Sequence, residues 1–220
     1  MNSKELIVKG IGNVSAAPDL IVLELELEVI EPEYEKTMQR AAELLDALRA
    51  AIISAGHAGK SLKTTSFNID TEYKNYRDNN NNLQKEFIGY SCKHELRLEF
   101  GLDMNKLGAT LGAIADCEAN PDIDIKFSVK DTSAVSEQLL NNAISNAKWK
   151  AAILAKSAGI YLGDIKCIDY NWSELHMYSD TNMVLAEGKA FCSFTGTSPV
   201  DITPKDIDVS DSVTVIWSIE

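Results

Sequence analysis

The stretch Ile21-Val-Leu-Glu-Leu-Glu-Leu-Glu-Val29 decides the fold. Ile21, Leu23, Leu25, Leu27 and Val29 alternate with Val22, Glu24, Glu26 and Glu28. Successive side chains on a strand point to opposite faces, so the apolar set lines one face and the glutamates the other. That predicts a strand with one dry and one wet face, hence a sheet covered on one side. Upstream, Leu6 to Ser15 is apolar but interrupted by Gly10 and Gly12, which suggest a bulge or a close approach of another backbone. Pro18-Asp19 then reads as a tight connection, predicting an antiparallel pair joined at that point.

Downstream the period changes. Tyr34, Met38, Ala41, Leu45, Leu48 and Ile52 step by three and four, predicting a helix that begins after Pro32 and stops at Gly56. Residues 62–100 read as two long strands. Thr65, Phe67, Ile69, Thr71 and Tyr73 are in phase on the first, and Ile88 to Phe100 alternate on the second. The tip between them is Arg77-Asp-Asn-Asn-Asn-Asn82. Asp103 can cap a short helix with Met104, Leu107, Leu111 and Ile114 inward, and a strand follows Pro121. A third helix from about Ser133 to Ala158 carries the stripe Val135, Leu139, Ala143, Ala147, Ala151, Leu154 and Ala158, whose small residues let a neighbour approach closely. Gly159 ends it. Strands are expected from Ile165 to Trp172 and from Ile207 to the terminus, separated by an irregular connection over 173–205 in which only Ala190 to Phe194 looks strand-like. The order β-β-α-β-β-α-β-α-β-β predicts one α+β domain over 1–220. It has a mostly antiparallel sheet, helices packed on one face and a projecting β-hairpin.

Composition bounds the function. The 220 residues are 45% hydrophobic and 25% charged, at globular averages, which argues against wholesale disorder. Asp and Glu number 33 against 21 Lys and Arg, and a net charge of −12 repels nucleic-acid backbones and anionic lipid. No run approaches the roughly 20 apolar residues of a membrane-spanning helix. The first ten residues lack the long apolar run and cleavage site of a secretion signal, so the expected location is cytoplasmic, or periplasmic or secreted if a leader has been removed. Cys92, Cys117, Cys167 and Cys192 are scattered without a C-x-x-C pair, pointing to reduced and mostly buried thiols.

Chemistry-bearing residues do not converge. His94 and Cys92 share a strand face and could form half a metal site, but a core-facing strand explains both. His57 follows Gly56 in a helix-end turn and is expected in solvent. There is no G-x-S-x-G, no P-loop, and Ser15 stands where a G-x-G-x-x-G pattern needs its third glycine. The glutamate ladder Glu24, Glu26, Glu28 reads as a solvated face that could blunt an edge strand. Asp201, Asp206, Asp208 and Asp211 crowd the last linker without calcium-loop spacing. No cofactor is implied. Aromatic residues are more telling: Tyr73, Tyr76, Phe87 and Tyr90 flank the hairpin tip, either packing across the hairpin or against a second copy of the chain. Trp172, His176, Tyr178 and Phe194 lie on or beside the irregular connection and could line a pocket.

Several features then coincide in order: Ile7-Val-Lys-Gly-Ile-Gly12, Pro18-Asp19 and the alternating strand, the alanines Ala143, Ala147, Ala151 and Ala155, Gly159 with Leu162-Gly163, and Pro204 before a terminal strand of alternating valines. Across nearly the whole chain this resembles the SIMPL family, a domain of unknown function that includes a periplasmic immunogenic protein and takes its name from a member associated with a kinase in innate-immune signalling. The resemblance implies an α+β fold, oligomerisation in at least one member and no established enzymatic activity. The chain departs from the family in lacking a recognisable leader and in having Lys205 after Pro204. The expectation is a non-enzymatic homo-oligomeric scaffold or interaction module assembled through the hairpin arm. The alternative is a small-molecule-binding protein or an unrecognised enzyme with a pocket near residues 172–205.

Overall fold

A computed structural model of the chain describes residues 4–77, 81–170, 175–181, 183–184 and 202–220. Its elements are β1 (Glu5–Ala16), β2 (Leu20–Glu31), α1 (Tyr34–Ser54), β3 (Leu62–Arg77), β4 (Leu83–Gly101), α2 (Met104–Ala115), β5 (Asp122–Ser128), α3 (Thr132–Ala158), β6 (Leu162–Asp169), β7 (Met183–Val184) and β8 (Ile207–Ile219). This is the α+β order expected from the sequence, with the two-residue β7 added before the last strand. The chain divides into two compact units, each built on its own sheet.

The first unit comprises 1–19, 128–180 and 204–220. Its sheet has the order β1-β8-β6, with α3 on one face. Val8 from β1 and Val213, Val215 and Trp217 from β8 bury against Ala143, Ala147 and Ala151. Gly10 and Gly12 make that closeness possible: a Cβ on Gly10 would stand 2.1 Å from the Ala143 carbonyl oxygen, and one on Gly12 2.0 Å from that of Leu139. The glycines thus mark a close backbone approach, and the alanine stripe is its other half. Asp131 caps α3 by accepting from the Ala134 N–H at 2.9 Å, and Gly159 closes it in the left-handed region at φ 67. The spacing of four continues to Ala155, so Ala155 is buried while Leu154 and Ala158, expected inward, are exposed.

The free edge of β1 is closed by α3. Lys150 Nζ donates to the Lys9 carbonyl at 3.0 Å, Asn146 Oδ1 accepts from the Ile11 N–H at 3.0 Å, and Asn142 Nδ2 donates to the Asn13 carbonyl at 2.9 Å. Alternate residues of the strand meet every fourth residue of the helix. The expected β1–β2 hairpin does not form. β1 pairs with β8 along its whole length, from Glu5 opposite Ser218 to Ala16 opposite Ile207, while β2 joins the other sheet. The Pro18-Asp19 link is used otherwise: the Asp19 N–H donates to Ser128 O at 3.0 Å and its carboxylate accepts from the Lys130 N–H at 2.7 Å.

The second unit comprises 20–127 and 181–203. Its sheet order is β3-β4-β2-β5-β7, and the core joins one face of it to α1 and α2. Ile21, Leu23, Leu25, Leu27 and Val29 of β2 all lie in that core, as the alternation required. Thr37, Ala41, Leu44, Leu48, Ala51 and Ile52 form the buried face of α1, so the helix is rotated from the expected face and Tyr34 is left half exposed. Leu107, Leu111 and Ile114 bury from α2, which Asp103 caps through the Lys106 N–H at 3.0 Å. β2 is an interior strand, so the glutamate ladder does not blunt an edge. It is instead neutralised across the sheet. Lys93 lies 3.6 Å from Glu26 and 3.4 Å from Glu28, and Lys126 pairs with Glu24 and, at 3.3 Å, with Asp124.

Candidate functional site

The hairpin of β3 and β4 outruns the rest of its sheet. β2 accompanies β4 only as far as Glu31 opposite Tyr90, so residues 72–77 and 83–89 continue as a two-stranded arm. Two-stranded ribbons gain little from burial in water. Aromatic rings compensate on one face. Tyr34 at the start of α1 meets Tyr90 at 5.7 Å between centroids, Tyr90 meets Phe87 at 5.5 Å, and Phe87 meets Tyr73 at 5.7 Å, all edge to face. Such pairs add about 0.5–1.5 kcal/mol each beyond simple burial. Cross-strand packing is therefore real, yet Tyr73 stays 48% exposed and Phe87 45%. Of the four rings singled out in the sequence, Tyr76 is the exception. It lies an odd number of residues from Tyr73 on the same strand, so it occupies the opposite face. Tyr34 was missed because its spacing fitted the inward stripe of α1. Its position directly after Pro32 and Glu33, ahead of the first full turn, was the available signal.

The arm is also locally balanced in charge. Over 72–89 the sequence sets Glu72, Asp78 and Glu86 against Lys74, Arg77 and Lys85, on a chain that carries −12 in all. Arg77 is held at the tip, donating to the Asn81 side chain at 3.0 Å.

Among the described residues the other candidates stand apart from one another. His94 is buried at 6% exposure, its Nε2 2.9 Å from the Thr64 hydroxyl and its ring edge-on to Phe67 at 5.0 Å. Burial first, and the Arg49 charge second, hold its imidazole below the usual histidine range. Cys92 is buried on the same face, and burial pushes its thiol up, away from the nucleophilic thiolate. Among the described residues no three His, Cys, Asp or Glu side chains converge on a metal position. His57, expected in solvent, is buried: its Nε2 donates to the Thr110 hydroxyl at 2.7 Å, because that hydroxyl gives its own proton to the Lys106 carbonyl at 2.7 Å. Cys117 is half-buried and Cys167 exposed, so of the three described cysteines the expected burial holds for Cys92, and Cys192 lies outside the described residues.

In the expected pocket, Trp172 and Phe194 lie outside the described residues, as does the Ala190 to Phe194 stretch. His176 is exposed, and Tyr178 forms an isolated bridge with Ser128. Within the described residues a groove of 560 Å³ lies elsewhere, on the polar face of the five-stranded sheet. Glu24, Glu26, Glu95, Arg97, Asp122 and Asp124 are among the residues lining it. Asp208 and Asp211 belong to β8, where they accept from Ser15 Oγ at 2.7 Å and the Tyr170 hydroxyl at 2.8 Å, whereas Asp201 lies outside the described residues. No helix of the described residues is long and apolar enough to cross a membrane.

Comparison with known proteins gives these surfaces a context. The 26 kDa periplasmic immunogenic protein of Brucella melitensis is 29% identical over 159 residues, covering 72% of this chain and 63% of that protein. Its counterpart in Brucella abortus is 28% identical over the same length and shares. The chain thus spans somewhat under two thirds of the length of the curated relatives it matches. Their periplasmic character overturns the cytoplasmic location expected from an N-terminus without a long apolar run. The profile described as "Protein of unknown function (DUF541)" matches residues 6–217, across both compact units, and the chain belongs to the SIMPL family.

Proposed function

We propose that the chain is a non-enzymatic interaction module of the periplasm that associates with itself through the hairpin arm. The observation that carries this reading is the arm itself, where Tyr73 and Phe87 are packed in a row of rings yet remain nearly half exposed. Exposed apolar surface of this kind, rimmed by polar residues, is what association buries. Two copies of a chain at −12 repel each other on approach, and the arm, whose sequence over 72–89 holds equal numbers of acidic and basic residues, adds little to that repulsion. The periplasmic placement rests on the two Brucella relatives, both periplasmic proteins.

Light scattering at micromolar concentration tests the assembly: a mass above that of a single chain is expected. Removing residues 75–83 should lower it while circular dichroism stays that of a folded domain. Unchanged mass after that deletion takes the arm out of the assembly, and a monomeric full chain ends the reading. Osmotic-shock fractionation of cells making the full-length gene product tests the location, with retention in the cytoplasm as the contrary result.

A second reading, small-molecule binding, is favoured by the groove on the polar sheet face, whose 560 Å³ falls among ordinary ligand sites. Glu95 and Asp122, lining carboxylates outside the Lys93 and Lys126 ion pairs, suit an organic cation. A thermal-shift screen with such cations at millimolar concentration should raise the melting temperature if the groove is used, and a flat response counts against it.

A further inference from the structure

Among the described residues β3 is bonded to β4 on one side only, so its other edge presents there a row of N–H and C=O groups open to pairing. That edge is unusually continuous. From Ser66 to Arg77 it contains no proline, and the irregularity at Glu72/Tyr73 falls on the opposite strand, where Ile88 is the extra residue. No side chain among the described residues hydrogen-bonds to the β3 main chain over this stretch. Glu72 and Lys74 have no ion-pair partner among the described residues either, although Glu86 faces Lys74 across the hairpin.

An edge of this sort accepts another strand, and the residue order of β3 indicates which one. When a strand pairs antiparallel with its own copy about a two-fold axis normal to the sheet, residues equally far either side of the axis meet on the same face. An axis at Asp70, Glu72 or Lys74 sets that charge against itself, and an axis at Thr71 sets Glu72 against Asp70. An axis at Asn75 sets Lys74 against Tyr76 and forms no ion pair. An axis at Tyr73 sets Glu72 against Lys74 of the second copy, twice, and Asp70 against Tyr76, with no like charges opposed. It also places Tyr73 beside Tyr73 of the second copy. Tyr73 is the last ring of the row that begins at Tyr34, so the row would continue across the seam into its own image.

We propose that two copies of the chain join their β3 edges antiparallel, in register about Tyr73, making one continuous sheet of the two five-stranded sheets. This rests on the self-association proposed above and specifies its surface, its direction and its register. Main-chain hydrogen bonds supply the attraction common to any strand, and the two Glu72–Lys74 pairs select the chain's own copy over other extended segments.

Charge reversal tests it. Glu72→Lys and Lys74→Glu each oppose like charges at both pairs and should weaken the dimer by roughly tenfold or more in dissociation constant. The two together restore opposite charges and should bring it back to within about threefold of the parent. As a second readout, Tyr73→Cys under mild oxidation should give a disulfide-linked dimer absent from the parent chain, whereas Asn75→Cys, four residues from its own copy in this register, should not. Tyr73, Lys74 and Asn75 are exposed and Glu72 is half-buried, and circular dichroism checks that each variant folds. Rescue by the double reversal together with crosslinking at Tyr73 establishes the pairing. Failure of either while the full chain still self-associates overturns this register and leaves assembly to another surface. Crosslinking at Asn75 instead also overturns it. A full chain that is monomeric removes both this proposal and the one on which it rests.

Discussion

The edges at β1 and β3 carry the same hazard, a line of unbonded main-chain groups, and the molecule treats them in opposite ways. At β1, Asn142, Asn146 and Lys150 of α3 bond to Asn13, Ile11 and Lys9, so a foreign strand would have to displace three side chains first. At β3 no such bond exists among the described residues, and the strand runs on past its neighbours into a bare two-stranded arm. Closing one edge and leaving another open restricts where strands of other molecules can add. The lesson is that edge protection here is a choice made strand by strand, written in the polar residues of whichever helix lies alongside.

The strongest way to break this contrast is to lift α3 off β1. Gly10→Ala places a methyl group 2.1 Å from a helix carbonyl that belongs to the backbone and cannot swing aside. A loss of about 3 kcal/mol is expected in urea denaturation, the upper range for overpacking. Near-parent stability would mean that the two backbones can separate cheaply. A milder change removes only the polar bonds: Asn142→Ala, Asn146→Ala and Lys150→Ala together should cost about 2 kcal/mol. More diagnostically, the Ile11 amide should exchange its hydrogen faster and the chain should become prone to aggregation. If exchange at Ile11 is unchanged, the asparagines do not guard the edge.

Acid should act more gently, at the root of the open edge. His94 bonds to Thr64 on β3, and its imidazole titrates below the usual histidine range because burial and then Arg49 disfavour the charged form. His57 is lowered too, by burial and then Lys106. A histidine depressed in the folded state leaves the unfolded chain binding more protons. Its contribution is therefore complete above about pH 6.5 and is lost as pH falls below that towards the folded-state value. Melting temperature should drop between pH 7 and 5, and His94→Gln should flatten part of that slope. An identical slope would assign the effect elsewhere. The smallest effect belongs to Tyr76→Ser, within about 0.5 kcal/mol of the parent. Tyr76 lies outside the ring row, so a larger loss would mean that the row is not what steadies the arm.

Legibility followed the range of the interaction. Signals that act within a turn or two came through: the alternation of β2, the cap Asp103, Gly159 at the end of α3. So did the glycine and alanine runs, because each implies a missing side chain that something must occupy. Partnering did not. Pro18-Asp19 has the chemistry of a hairpin turn, yet Asp19 spends its carboxylate on Lys130, over a hundred residues away, and β1 finds its mate in the last strand. His57 looked solvated because its partner Thr110 is 53 residues distant. In the candidate site, the projection of the arm was readable from strand lengths. The face of each ring was not, since the extra residue Ile88 shifts the pairing on β4 and breaks simple alternation between Phe87 and Tyr90.

The guard on β1 works like a vernier. Four residues of helix rise about 6.0 Å, while two residues of strand rise about 6.8 Å, so each successive rung slips by roughly 0.8 Å. Two rungs can be spanned by the short, stiff asparagines, and the third falls to lysine, whose four-carbon stem absorbs the accumulated offset. A fourth rung would call on Leu154, which has nothing to donate, and it would serve Ile7, left 61% exposed. The mismatch between the two repeats therefore limits how much of a strand one straight helix can seal, and the end of β1 nearest Glu5 is where that limit is reached.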